Sequence, residues 1–303
     1  MILSSRPPNS APRIFAKTRP GALPVPADRT VSAFTRPNVL ERWSEDAAGI
    51  RAVATGDNVI TMFDTIGEDF WTGGGVTAKK VAAQLRAIGD RPVEVQINSF
   101  GGDMFEGIAI YNVLREHPQD ITIKVMGMAA SAASIIVMAG NTVEIGAASF
   151  LMIHNCWIVA MGNRHDLVAA AEWLEPFDAA MRDVYAARTE QKPDVVAGWL
   201  DAETFMSGSQ AIDRGFADAL LPADQMTVDE GTKAADRKVN DLRAMELTLL
   251  ATGHTRTEAR ARINKIKGAV TPGAGGDLDH PTPDAGAREL AGSLAGLLAT
   301  IRS

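Results

Sequence analysis

Ile121-Thr-Ile-Lys-Val-Met-Gly-Met-Ala-Ala-Ser-Ala-Ala-Ser134 is the stretch on which the reading of this chain turns. Its first six residues, Ile121 to Met126, have the apolar and β-branched character of a buried strand. Gly127 to Ser134 are almost all small, as at a turn that leads into a helix. A serine on such a strand–turn–helix junction is held clear of the sheet and can act as a nucleophile. Ser131 stands there, and Ser134 falls one turn into the expected helix. A second apolar run, Phe150-Leu-Met-Ile-His154, ends in a histidine 23 residues after Ser131, a base for that hydroxyl. Either residue alone has a plainer reading: small residues let a helix pack closely on a sheet, and a histidine among apolar neighbours is usually a core residue. Their pairing is what points to chemistry.

Working outward, Val59–Phe63 and Pro92–Ile97 read as strands, with Thr77–Ile88 and Asp103–Arg115 as helices between and after them. Gly73-Gly-Gly75 marks a turn, and Gly101-Gly102 lies between a strand end and a helix start. A helix follows Ser131, and Thr142–Ile145 and Phe150–Ile153 are short strands. Strands alternating with helices at this spacing predict an α/β fold of repeated βαβ units around a mostly parallel sheet. Arg164–Glu190 is a long helical pattern that Pro176 should kink or split, because proline removes a donor and clashes with the preceding turn. Shorter helices are expected at Asp194–Leu200 and Ser207–Arg214, the second closed by Gly215.

After Pro222 the character changes. Residues 223–240 are polar with little periodicity, Leu242–Ala251 reads as a helix, and Thr255-Arg-Thr-Glu258 fits a capping box opening another. Residues 271–286, rich in Pro, Gly and Asp, read as a linker, and Leu290, Leu294, Leu297, Leu298 and Ile301 stripe a terminal amphipathic helix. The expected organisation is an extended or disordered basic, proline-rich arm over 1–50, a main domain over 51–222, a polar segment and short helical pair over 223–270, and linker plus terminal helix over 271–303.

Composition narrows the chemistry. With 46% hydrophobic and 22% charged residues in 303, the chain is that of a globular protein, and no apolar run reaches the length of a membrane span. A net charge of −7 gives no general case for nucleic acid. One cysteine, Cys156, excludes an internal disulfide, and none of the five histidines stands at a metal-ligand spacing, so neither a metal nor another cofactor is expected. The first 35 residues are basic, with Asp28 as their only acid, but prolines at 7, 8, 12, 20, 24 and 26 would break the amphipathic helix of a transit peptide. The cluster Arg256, Arg260, Arg262, Lys265 and Lys267 reads as a solvated helix face, with nucleic acid or an acidic partner as the competing use.

Acyl transfer by serine also needs oxyanion donors and a group to orient the base. Glycines at 101 and 102 let backbone N–H groups approach a carbonyl closely, which makes Gly102 and Ala132 the natural donor pair. For the orienting acid, Asp201-Ala-Glu203-Thr-Phe-Met-Ser-Gly208 offers two carboxylates, and spacing does not choose between them. No G-x-x-x-x-G-K-[ST] pattern for holding ATP is present.

Taken together, Ile97-Asn-Ser-Phe-Gly-Gly102, Gly127-Met-Ala-Ala-Ser131, Met152-Ile-His154 and Phe205-Met-Ser-Gly-Ser-Gln-Ala-Ile-Asp-Arg-Gly-Phe-Ala-Asp218 resemble the proteolytic subunit of the Clp protease family. The likeness covers roughly residues 55–222. It implies a serine endopeptidase on the Clp/crotonase fold, with Ser131 as nucleophile, His154 as base, and Gly102 and Ala132 on the oxyanion positions. By the family's pattern the third member stands two residues before the phenylalanine, at Glu203, with Asp201 as the substitute. The long helix near 164–190 resembles the handle through which family members stack homo-oligomeric rings.

The chain departs from that pattern at Phe100 and Cys156, where the family usually has proline, at Glu203, where it has Asp, and at Pro176 inside the handle. With the arm and the helical C-terminal extension, these departures are similar to the Clp-related head maturation proteases of tailed bacteriophages. That resemblance implies cleavage of scaffold or capsid protein without an unfoldase, in the bacterial host cytoplasm or the prohead. The alternatives are a Clp-type subunit fed by a partner ATPase, a crotonase-like acyl-CoA enzyme, and a non-catalytic assembly module.

Overall fold

The computed structural model describes residues 32–33, 36–52, 56–222 and 226–270. The linker and terminal helix expected after 270, and most of the proline-rich arm, lie outside them. The described chain divides into two compact units at Asp241/Leu242.

The elements of the first unit begin with β1 (Ser32–Ala33), α1 (Pro37–Asp46), β2 (Ile50–Ala52), β3 (Val59–Met62), α2 (Ala78–Ile88), β4 (Val93–Ser99) and α3 (Met104–Arg115). They continue with β5 (Ile121–Ala130), α4 (Ala132–Val137), β6 (Thr142–Gly146), β7 (Phe150–Ile153), β8 (Ile158–Val159) and α5 (Arg164–Thr189). Then come α6 (Pro193–Asp201), β9 (Thr204–Ser207), α7 (Gly208–Asp213), β10 (Ala219–Leu221), β11 (Met226–Val228) and α8 (Glu230–Ala251), and α9 (Arg256–Val270) completes the order. The last turns of α8 and all of α9 belong to the second unit, where Arg256 and Arg260 of the basic cluster both pair with Glu246.

Seven strands form the main sheet. Five run parallel in the order β10-β6-β5-β4-β3; β7 joins alongside β5, and β9 lies antiparallel on β7. Ile60, Val95, Ile97, Ile123, Val125, Ile136 and Ile153 are fully buried around it, each worth roughly 1.5–3 kcal/mol of transfer free energy. The helices start where polar side chains can hold orphan N–H groups: Thr77 caps α2, Asp103 caps α3, and Asn163 and Ser207 open α5 and α7 with full capping boxes.

Four expectations need correcting. β5 does not stop at Met126; it runs through Ala130, because residues 122–125 pair with β6 and residues 128–130 change partner to β7. Small residues are required at the switch: a Cβ on Gly127 would lie 2.7 Å from Asn98 Oδ1 and from Ile50 Cδ1. Pro176 does not split α5, which is a single helix of 26 residues. Trp173 and Phe177, on either side of it, pack on each other and on Phe105, holding both turns against the body. Residues 37–46 of the expected arm form α1, and residues 226–228 and 230–241 of the expected irregular stretch form β11 and the start of α8.

Those last elements are bound to each other. β11 pairs with β2, and the first half of α8 reaches α1 and its exit through polar bonds: Asp236 accepts from the Gly49 N–H, Arg237 donates to the Ser44 carbonyl, and Asn240 donates to Ser44 Oγ.

Candidate active site

Ser131 sits where β5 ends and α4 begins, with φ 54° and ψ −126°. A non-glycine residue in that region is strained by about 1–3 kcal/mol. Several bonds hold it there. Its N–H donates to the Met152 carbonyl at 3.0 Å, and its own carbonyl accepts from the Ser134 N–H at 2.9 Å and from Ser134 Oγ at 2.6 Å. Ser134 Oγ also lies 2.7 Å from the hydroxyl of the fully buried Tyr185 on α5. Ser134 is thus a support beneath the turn.

The strained turn presents Ser131 Oγ to His154 Nε2 at 2.7 Å. His154 follows β7, which lies beside the final residues of β5, so adjacent strands deliver the two side chains to the same end of the sheet. The imidazole is buried, and burial first, then the Arg36 guanidinium, pushes its pKa down to about 4. It is therefore the neutral imidazole, able to accept a proton, at any pH near neutrality.

The glycine pair meets Ser131 closely. A Cβ on Gly101 would lie 2.7 Å from Ser131 Cβ and 2.6 Å from the Ala130 carbonyl oxygen, and one on Gly102 would lie 2.1 Å from the Ile66 carbonyl oxygen. Both also have positive φ, 96° and 150°, so only glycine fits. Among the described residues nothing accepts from the Gly102 N–H. Ala132 is the first residue of α4, where an N–H has no intrahelical acceptor. Gly102, Ser131, Ala132 and His154 line one cavity together with Met104, Asn155, Cys156, Trp157 and Met181. Its volume of about 20 Å³ is room for about one water.

The two candidate acids are not brought to the histidine. Glu203, at φ 49° in the turn before β9, is ion-paired with Arg36, and Asp201 accepts from Asn155 Nδ2 at 2.7 Å. Among the described residues no carboxylate bonds the His154 ring. Arg36 was not foreseen as part of this neighbourhood; an Arg-Pro pair at a helix start carries no signal for it. The guanidinium also stands over the Trp157 ring, 5.9 Å from its centroid.

Both departures from proline have a structural use. The Cys156 N–H donates to Asp178 Oδ1 at 2.6 Å, a bond proline has no hydrogen to make. Burial, then Asp178, raises the thiol's pKa, which leaves it an unreactive packing group beside Met181. Phe100 is buried with its ring edge-on to Trp43 of α1, 5.4 Å between centroids. Among the described residues, no group of three or more His, Cys, Asp and Glu side chains is arranged to hold a metal ion, and no helix is long and apolar enough to cross a membrane.

Comparison with known proteins shows what the chain is similar to. Residues 74–224 match the family described as Clp protease. The ATP-dependent Clp protease proteolytic subunit of Ligilactobacillus salivarius (strain UCC118) is 28% identical over 193 residues, 61% of this chain and 94% of that protein. The corresponding subunit of Nephroselmis olivacea is 31% identical over 135 residues, 44% of this chain and 65% of that protein. Proteolytic subunit 3 of Rhodococcus jostii (strain RHA1) is 29% identical over 133 residues, 43% and 66% of the two chains. Among solved structures, a ClpP1 point mutant from Listeria monocytogenes aligns at 19% identity with a TM-score of 0.46, over 56% of this chain and 94% of that one.

Proposed function

We propose that this chain, whose membership of the Clp protease family is supported by the family match and by its relatives, is a serine endopeptidase with Ser131 as nucleophile. The 2.7 Å contact between Ser131 Oγ and His154 Nε2 carries the reading. Neutral His154 takes the hydroxyl proton as Oγ attacks a peptide carbonyl. The Gly102 and Ala132 N–H groups receive the oxyanion. The imidazolium returns its proton to the departing amine, and water hydrolyses the acyl-enzyme by the same route in reverse. Glu203, released from Arg36, is the group that orients the imidazole, with Asp201 in reserve.

The substrate we infer is scaffold or capsid protein, cleaved without an unfoldase. The departures at Phe100 and Cys156 and the added helices α8 and α9 support it. The relatives are ATP-dependent proteolytic subunits, which favours a second reading in which a partner ATPase feeds the site.

Labelling with a fluorophosphonate, followed by peptide mapping, tests the nucleophile: the adduct falls on Ser131 and disappears in Ser131→Ala. An adduct elsewhere, or turnover of a CoA thioester that survives Ser131→Ala, would overturn the assignment. Digestion of a folded capsid-type substrate by the protein alone is expected; cleavage only when a hydrolysing ATPase is added would select the second reading.

A further inference from the structure

The segment before α1 lies against the candidate site. β8 begins four residues after His154, and among the described residues its one strand partner is β1, which pairs with it antiparallel, Ser32 opposite Val159 and Ala33 opposite Ile158. Arg36, three residues beyond β1 in sequence, has its guanidinium against Glu203 and over the ring of Trp157, itself part of the cavity lining.

The approach is fixed by a docked helix. Arg36 is the N-cap of α1, extended at φ −65° and ψ 144°, and Pro37 at the first helical position restricts it to that conformation. α1 is clamped in turn. Trp43 Nε1 donates to the buried Asn98 Oδ1 at 3.1 Å, and Asn98 Nδ2 donates to the Ala47 carbonyl at 2.8 Å. The Arg42 guanidinium lies over the rings of Phe150 and Phe205, 4.9 and 4.2 Å from their centroids. Phe205 is two residues beyond Glu203, so the same helix that aims Arg36 also grips the strand leading from its partner.

We propose that β1 and Arg36 are intramolecular occupants of the site, β1 filling the β8 edge that an extended polypeptide would take and Arg36 holding Glu203 away from His154. The proposal rests on the serine endopeptidase reading. Strand addition to an open edge is a general way to bind an extended chain, and a segment of the same molecule already on that edge competes with any other at high effective concentration. Arg36 acts on the chemistry as well. It engages the carboxylate that would stabilise an imidazolium and puts a positive charge where another is about to form. The occupied state keeps the Ser131–His154 contact beside a small cavity, so an incoming peptide has to displace β1 from the edge before it can bind there. Displacing the segment frees edge and acid together.

The rate of fluorophosphonate labelling at Ser131, measured on the full chain, tests this without needing the natural substrate. Arg36→Ala removes the ion pair, and Ser32→Pro/Ala33→Pro removes the donors of the β1 ladder. Both are expected to label at least about fivefold faster than the unaltered protein, the factor that corresponds to an ion pair near the top of the range for solvated pairs. A peptide spanning residues 28–37, added to either variant, is expected to slow labelling again. Equal rates at Ser131 in all three proteins would overturn the occupant and leave the peptidase reading intact. No labelling in any of them would overturn the peptidase reading, and the occupant with it.

Discussion

At His154 two causes act in one direction: burial, the larger, and the Arg36 charge both depress the imidazole. The mechanism we propose uses the unprotonated ring, and lowering the pKa extends that form to lower pH, so Ser131 reactivity should be flat from about pH 8 to pH 5 and fall on passing through about 4. The neighbouring carboxylates Asp178, Asp201 and Glu203 are already engaged by Cys156, Asn155 and Arg36. In Arg36→Ala the acid limb should therefore move upward, toward the ordinary histidine value of about 6.5. A limb near 6.5 in the unaltered protein, unmoved by the substitution, would deny Arg36 its place beside the ring. Beneath the nucleophile, Ser134→Ala leaves the Tyr185 hydroxyl buried without its partner and should cost about 1–3 kcal/mol. Tyr185→Phe leaves the Ser134 bond to the Ser131 carbonyl in place and should cost about 1 kcal/mol. Chemical denaturation of the two variants reads that order directly, and the reverse order would mean that Tyr185 supports the turn by some other route.

At the scale of elements, α1 is the piece that ties the N-terminal region to the site. Trp43 is 2% exposed and shares both a hydrogen bond with Asn98 and a ring contact with Phe100. Trp43→Ala should cost about 3–5 kcal/mol in thermal or denaturant unfolding, and amide exchange should quicken in α1 before the main sheet is affected; unchanged protection of α1 would show that it is held elsewhere. This element was hidden in the sequence, because its short stripe of Val39, Leu40 and Trp43 directly follows a long proline-rich stretch. The beginning of α8 was hidden for a different reason: Asp236, Arg237 and Asn240 dock it through polar bonds, which leave no hydrophobic period. The extension of β5 to Ala130 was missed because Gly and Ala disfavour strands, and pairing with β7 overrides that preference. That Ser131, His154 and the two glycines would meet was legible because each position demands a particular residue: a φ only glycine tolerates, a small side chain under a sharp turn, a polar ring at the end of the adjoining strand. Nothing local relates Arg36 to Glu203. Their meeting depends on where α1 docks, which is a property of the folded chain.

At the scale of the molecule, α5 presents apolar side chains to solvent that a solitary subunit has no use for. Leu167 and Val168 are 47% and 48% exposed near the start of the helix, and Met161 just before it is 58% exposed. Farther along the same helix Phe177, Met181 and Tyr185 are buried in the body, so one end of α5 is anchored while the other offers an uncovered surface. Contiguous exposed apolar groups of this kind mark sites of association, and burying them between copies would recover roughly 25 cal/mol for each Å² covered. The expected state is therefore a homo-oligomer built through this end of α5. Sedimentation velocity should show the unaltered protein as an assembly larger than one subunit. Leu167→Glu/Val168→Glu should shift it to smaller species with an unchanged circular dichroism spectrum, because neither side chain belongs to the core. An assembly of the same size in the double variant would remove α5 from the contact and leave its apolar end without a role.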